Sequence, residues 1–186
     1  MSAATVAVGA PLQRIARRPF VLALLAFLVA ALLAVLLLSG KGGEGTATPQ
    51  ATDFAQLQEL SATIGHPVFW AGAPSVGTEL ELTRADDAVY VRYLSGDGEV
   101  GDQRGRFTTV GTYPVPGAFA VVSRAAEQPT AVTRDLPGGG LALLDARRPQ
   151  SVYLAWPGSG YEVEVYDPSP KRALDLVLTG AVAPVH

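Results

Sequence analysis

Cysteine is absent from all 186 residues, so disulfides, thiolate nucleophiles, cysteine-ligated zinc and iron–sulfur clusters are excluded. Asparagine is also absent, which removes every N-linked glycan acceptor. The two histidines are His66 and His186, the last residue, and neither has a second histidine one helical turn away to make a metal face. From residue 53 onward 16 acidic residues face 10 basic ones, a net charge of −6. That balance argues against nucleic acid as a partner and against close docking to an anionic leaflet. Lysine is scarce, two against twelve arginines, and alanine is abundant, a bias typical of GC-rich bacterial coding.

Against these absences stands one long apolar run. Phe20 to Leu38 holds nineteen consecutive residues without a charge, proline or glycine. As a helix it extends ~28 Å, against ~30 Å of bilayer hydrocarbon. It is apolar on every side, which suits lipid and not the half-wet surface of a soluble domain. A cleaved signal has a shorter core of about 7 to 15 residues and an A-x-A-like exit. Here the exit is Leu37-Leu38-Ser39-Gly40-Lys41, so retention as an anchor is favoured. Arg14, Arg17 and Arg18 precede the run and Lys41 alone closely follows, which keeps residues 1–19 in the cytoplasm and translocates the rest. The expected location is the plasma membrane, with an extracytoplasmic C-terminal domain.

Residues 39–52 are rich in Gly, Thr and Ala and lack apolar periodicity, so they read as a flexible tether. Residues 53–182 suffice for one domain, and 183–186 are expected to fray. Asp53 caps a helix carrying Phe54, Leu57, Leu60 and Ile64 on one side, with Gly65 as its stop. PVFWA, TELELT, AVYVRYL and RFTTVGTY read as strands, the second and third joined at RADD and the last with a bulge at Gly111. A helix in PGAFAVVSRAAEQ follows, then strands in TAVTRDL, LALLD, SVYLAW and YEVEVY. Asp167 and Pro168 open a last helix that Gly180 closes. Short turns between alternating strands imply antiparallel pairing. The fold class is therefore α+β: an N-terminal transmembrane helix, then one domain with a mainly antiparallel sheet and about three helices. PVFWAGAPSVGTELELT and SVYLAWPGSGYEVEVYD share an aromatic strand, a Gly/Pro loop and an E-x-E strand, a hint of duplication.

The candidate chemical motifs each fail a contextual test. GDGEVG, residues 96–101, is formally G-x-G-x-x-G, but DQRGRFTTV follows where a dinucleotide loop must open a helix. Asp97, Glu99 and Asp102 supply oxygen ligands without the ordered spacing of an EF-hand. PGGG at residues 137–140 leads into a strand and reads as a turn instead of an anion nest. Glu79 with Glu81, and Glu162 with Glu164, place two carboxylates on one strand face, a spacing glycosidases exploit. Their apolar neighbours, Leu80, Leu82, Val163 and Val165, favour a solvated strand face. His66 finds no G-x-S-x-G serine, and Ser159 in PGSG is its nearest approximation. No catalytic residue, metal site or cofactor is expected.

Aromatic residues remain. Trp70 and Trp156 fit a sheet core, whereas Tyr93, Tyr113, Tyr161 and Tyr166 are the candidate partner-binding residues, able to share an exposed face. In TVGTYP, LPGGGLALLD and YLAWPGSGYEVEVYDPSP the chain resembles exported or membrane-anchored actinobacterial proteins with no assigned activity. That resemblance implies an anchored location and transfers no catalytic role. The expected function is a single-pass envelope protein whose outer domain binds a protein or cell-wall partner. The alternative is a hydrolase acting on cell-wall glycan or peptide, and the third is assembly through the alanine-rich helix face of Ala26, Ala30, Ala31 and Ala34.

Overall fold

The computed structural model describes residues 48–186, so the expected cytoplasmic tail, the apolar run and most of the expected tether lie outside the described residues. Among the described residues no helix is long and apolar enough to cross a membrane. The elements run β1 (Gln50–Thr52), α1 (Phe54–Thr63), β2 (Phe69–Trp70), β3 (Thr78–Ala85), β4 (Ala88–Ser95) and β5 (Thr108–Pro114). Then come α2 (Ala118–Ala125), β6 (Ala131–Leu136), β7 (Gly140–Asp145), β8 (Arg148–Ala155), β9 (Tyr161–Tyr166), α3 (Pro170–Leu178) and β10 (Ala183–Pro184). The fold is α+β with an antiparallel sheet and three α-helices, as the alternation of period-two and period-3.6 patterns implies.

Eight strands form one sheet in the order β1-β3-β4-β5-β9-β8-β7-β6. Two meanders, β3-β4-β5 and β6-β7-β8-β9, meet where β5 pairs antiparallel with β9. This arrangement overturns the duplication hint, because β3 and β9 do not hold equivalent places in the two halves. The β3–β4 turn is two residues, with Asp86 at φ 51°, the left-handed region in which Asp is among the better-tolerated non-glycine residues.

Period-two alternation gives the sheet two different faces. On the first, Leu80, Leu82, Val89, Val91, Val110, Val152, Leu154, Val163 and Val165 form the main core with Leu57 of α1 and Ala173 and Val177 of α3. Asp53 caps α1 through a reciprocal box with Gln56, satisfying one of the helix's orphan N–H groups and the cap's own. α3 begins two residues later than expected: Ser169 is its N-cap and Pro170 its first residue. Asp167 stays outside the helix, where it accepts from Thr108 Oγ1 at 2.6 Å and from the Ser169 N–H at 2.8 Å.

Both ends of the domain extend beyond the sequence-derived limits. Residues 50–52, assigned to the tether, pair with β3 from Gln50 opposite Leu82 to Thr52 opposite Leu80. Residues 183–186, expected to fray, include β10, which pairs with β2. Val185 is 4% exposed and its N–H donates to Val68 O at 2.8 Å. A strand this short carries too little periodicity to announce itself; the neighbouring backbone supplies the bonds that order it.

Candidate functional site

Glycines in the suspected motifs serve as seats for aromatic rings. A Cβ at Gly98 would lie 2.7 Å from the Phe107 ring, which explains the centre of GDGEVG. Phe107 is buried, with the Arg92 and Arg106 guanidinium carbons 5.3 and 4.9 Å from its centroid. Two of the three loop carboxylates are already paired, Asp97 with Arg106 at 2.5 Å and Arg104 at 3.4 Å, Asp102 with Arg104 and, at 3.6 Å, Arg106, while Glu99 is exposed. These arginines hold Asp97 and Asp102 below the usual carboxylate range. A loop neutralised from within offers little to a cation or a phosphate, and among the described residues no cluster of metal-ligating side chains occurs. At Gly111 the expected bulge is absent, since β5 keeps continuous register with both β4 and β9. The Tyr113 ring instead lies back over Gly111, its Oη 2.7 Å from where a Cβ would stand.

The four candidate tyrosines do not share an exposed face. Tyr93 is on the main-core face, 9% exposed, accepting from the Ala71 N–H at 2.7 Å and donating to Gly72 O at 2.9 Å. Burial pushes its hydroxyl up to about 12. Tyr113, on the opposite face and also 9% exposed, donates to Glu164 Oε2 at 2.8 Å. Tyr166 is half-buried and donates to Gly105 O. Tyr161 returns to the main-core face and is half-buried; no hydrogen bond of its hydroxyl is found among the described residues. Tyr93 and Tyr166 tie loops to the sheet and Tyr113 seals its interior, so Tyr161 is the one suited to a ligand.

Tyr161 lines an open cleft of about 550 Å³ with His66, Pro67, Trp156, Pro157 and Ser159. Two connections build it: the α1–β2 loop, which leaves the helix at Gly65 with φ 75°, and the β8–β9 turn PGSG. The aromatic side chains are held by one another. Phe69 stacks on Trp156 at 5.6 Å and 21°, and Tyr161 lies 5.5 Å from Phe69 and 6.5 Å from Trp156. Trp156 also donates from Nε1 to Pro137 O at 3.0 Å, with its indole against Gly140, where a Cβ would fall 2.4 Å from Nε1. PGGG is thus a bed for Trp156, a role that needs the fold to be seen. Gly140→Ala is expected to displace the indole and lower stability by about 1–3 kcal/mol, through overpacking; a shift of tryptophan fluorescence together with the urea midpoint checks it, and unchanged emission would count against the seat.

The cleft's polar groups are committed. His66 Nδ1 lies 3.1 Å from Pro67 O and Nε2 3.0 Å from Asp87 O, so both ring nitrogens face carbonyl oxygens. Ser159 Oγ is held by Trp156 O at 2.8 Å and Tyr161 O at 3.1 Å. A nucleophile and its base must meet, and these two are each turned to the backbone. The cleft presents aromatic faces, proline rings and one hydroxyl, a surface for packing.

The second concentration of chemistry is hidden. On the sheet face opposite the main core, Glu81, Glu162 and Glu164 are 0%, 6% and 4% exposed, whereas Glu79 is exposed. The solvated-face expectation therefore holds for Glu79 alone. α2 covers the β7–β8–β9 side of that face and the 96–107 loop covers the β3–β4 side. Glu81 meets Arg92 directly across the β3–β4 pair at 2.7 Å and also accepts from the Gly101 N–H. Sequence pattern gives no sign of this cover: α2 is distant in the chain from β8 and β9, and the loop, though it follows β4 directly, carries no periodicity that shows it folding back over the sheet. No family model, curated protein or solved structure matches the chain.

Proposed function

We propose that this chain is a non-catalytic envelope protein, held by its N-terminal apolar run in the plasma membrane, whose outer domain engages a protein or cell-wall partner. The observation that carries the reading is the aromatic cleft, with Trp156 and Tyr161 fixed in place by their packing and the Tyr161 hydroxyl left without an internal partner. Rigid aromatic side chains supply contact area at small entropic cost, and interface hot spots are enriched in them. No Asp, Glu, Lys or Arg lines the cleft, which favours an uncharged segment of the partner. The hydrolase alternative has less support. Its best acid pair, Glu162 and Glu164, lies under cover, and Glu164 spends both oxygens on Ser151 and Tyr113.

The test is co-sedimentation of the purified protein with cell-wall particles and, separately, capture of envelope proteins from detergent-solubilised membranes. Tyr161→Ala should weaken whichever association is found at least about tenfold, the size of a modest hot spot, with the domain still folded though about 2 kcal/mol less stable from the lost packing on Phe69 and Trp156. Equal retention of wild type and variant removes the cleft from the account. Release of soluble fragments from the particles would favour the hydrolase.

A further inference from the structure

Three tyrosines, a serine and two carboxylates occupy one strip of the covered sheet face. Glu162 and Glu164 project from β9; Tyr113 faces them from β5, Ser151 and Tyr153 from β8, and Tyr90 from β4 beyond β5. Among the described residues no basic side chain pairs with them. The buried side chains of α2 are Ala118, Val122 and Ala125, and its one charged residue, Arg124, is exposed. Arg92 is engaged by Glu81, and Arg104 and Arg106 by Asp97 and Asp102.

The two carboxyl groups have unequal surroundings. Burial raises Glu164 above the usual carboxylate range, and the donors Ser151 Oγ at 2.7 Å and Tyr113 Oη at 2.8 Å oppose that rise. Glu162, next along the same face, has no hydrogen-bond partner among the described residues, and Glu164 is its acidic neighbour. A proton shared between such a pair rests on the member without donors. Burial, aided by the Glu164 charge, pushes Glu162 up from 4.5 to about 7.

We propose that Glu162 is a proton switch whose ionisation loosens α2 from the sheet. A charged Glu162, only 6% exposed and without a donor among the described residues, is short of water, and α2 is a lightly fastened cover on that face. It has eight residues, starts at Gly117 in a left-handed conformation without a side-chain cap, and is held by two alanines and a valine. Ala155, one residue beyond the Leu154–Val163 pair and on the same sheet face as Glu162, is fully buried on β8, a strand against which α2 packs. The sign follows from the raised value. The unfolded or opened chain gives up the proton near 4.5 while the closed one keeps it until about 7, so closure is strongest below 4.5 and weakens as pH climbs to about 7. Full coupling over that span sets a ceiling of about 300-fold on the opening equilibrium.

Amide hydrogen exchange on the full-length protein in detergent micelles, corrected for intrinsic rates, tests this between pH 5.5 and 8.5. Protection of residues 118–125 should fall at least about tenfold in the wild type while the β4 and β5 amides stay protected. Glu162→Gln, nearly isosteric and uncharged, should flatten that dependence to within about threefold, and Glu79→Gln should leave it as in the wild type. Should Glu162→Gln fail to fold, Glu162→Met is read in its place. Constant protection in the wild type, an equal fall in the Glu162 variant, or a uniform fall across all strands each overturns the proposal.

Discussion

Arg92→Met is expected to destabilise the domain by about 3–5 kcal/mol, the cost of leaving a buried carboxylate unpaired. Glu81 is fully buried, and its counter-charge is the guanidinium 2.7 Å away. Arg92 also donates to Asp102 O at 2.6 Å and covers the Phe107 ring, so its removal frees the 96–107 loop as well. For a domain of this size the corresponding fall in Tm is about 10 °C or more. Glu81→Gln combined with Arg92→Met should recover much of the loss, since the amide oxygen still accepts from the Gly101 N–H and no charge remains buried. Chemical denaturation of the two variants decides it. A loss below about 1 kcal/mol for the single change would place the pair among the weak surface bridges, and a double variant as unstable as the single one would remove the unpaired charge as the cause.

Gly111→Ala should cost about 3 kcal/mol, combining overpacking with the loss of a hydrogen bond to an acidic group. The added methyl meets the Tyr113 Oη at 2.7 Å and Cζ at 2.9 Å, and the ring cannot yield without withdrawing its hydroxyl from Glu164. That contact is confined to one ring, which gives the cycle its test. With Tyr113→Ala already present, Gly111→Ala should cost under about 0.5 kcal/mol or even stabilise, as alanine does over glycine in a strand. Equal costs in the two backgrounds would mean the backbone, and not the ring, requires glycine there.

Local pattern carries much of the architecture and little of the site. The β3 and β4 stretches alternate cleanly, and α1 announces itself by Asp53, Gln56 and the apolar side of Leu57, because these signals are interactions between near neighbours in the chain. Tyr113 and Glu164 are 51 residues apart, and their meeting depends on the β5–β9 pairing, for which no turn or periodicity exists. Glu162 and Glu164 alternate with valines like any half-wet strand; only the central place of β9 and the cover beside it make both faces dry. His66 and Ser159 come to one cleft from separate loops, yet their hydrogen bonds point to backbone carbonyls, an outcome that residue identity does not contain.

What the sequence determined alone is the set of properties that composition and short spacing impose: no thiol or N-glycan chemistry, an acidic domain, one lipid-length apolar run, and strands and helices in an α+β order. What the tertiary structure decided is burial: which glycines seat rings, which carboxylates lose their water, and which of the four candidate tyrosines has a hydroxyl without a partner among the described residues. Burial is a property of surfaces brought together from distant parts of the chain, and the energies that shift a proton or hold an indole arise only once water has left between them.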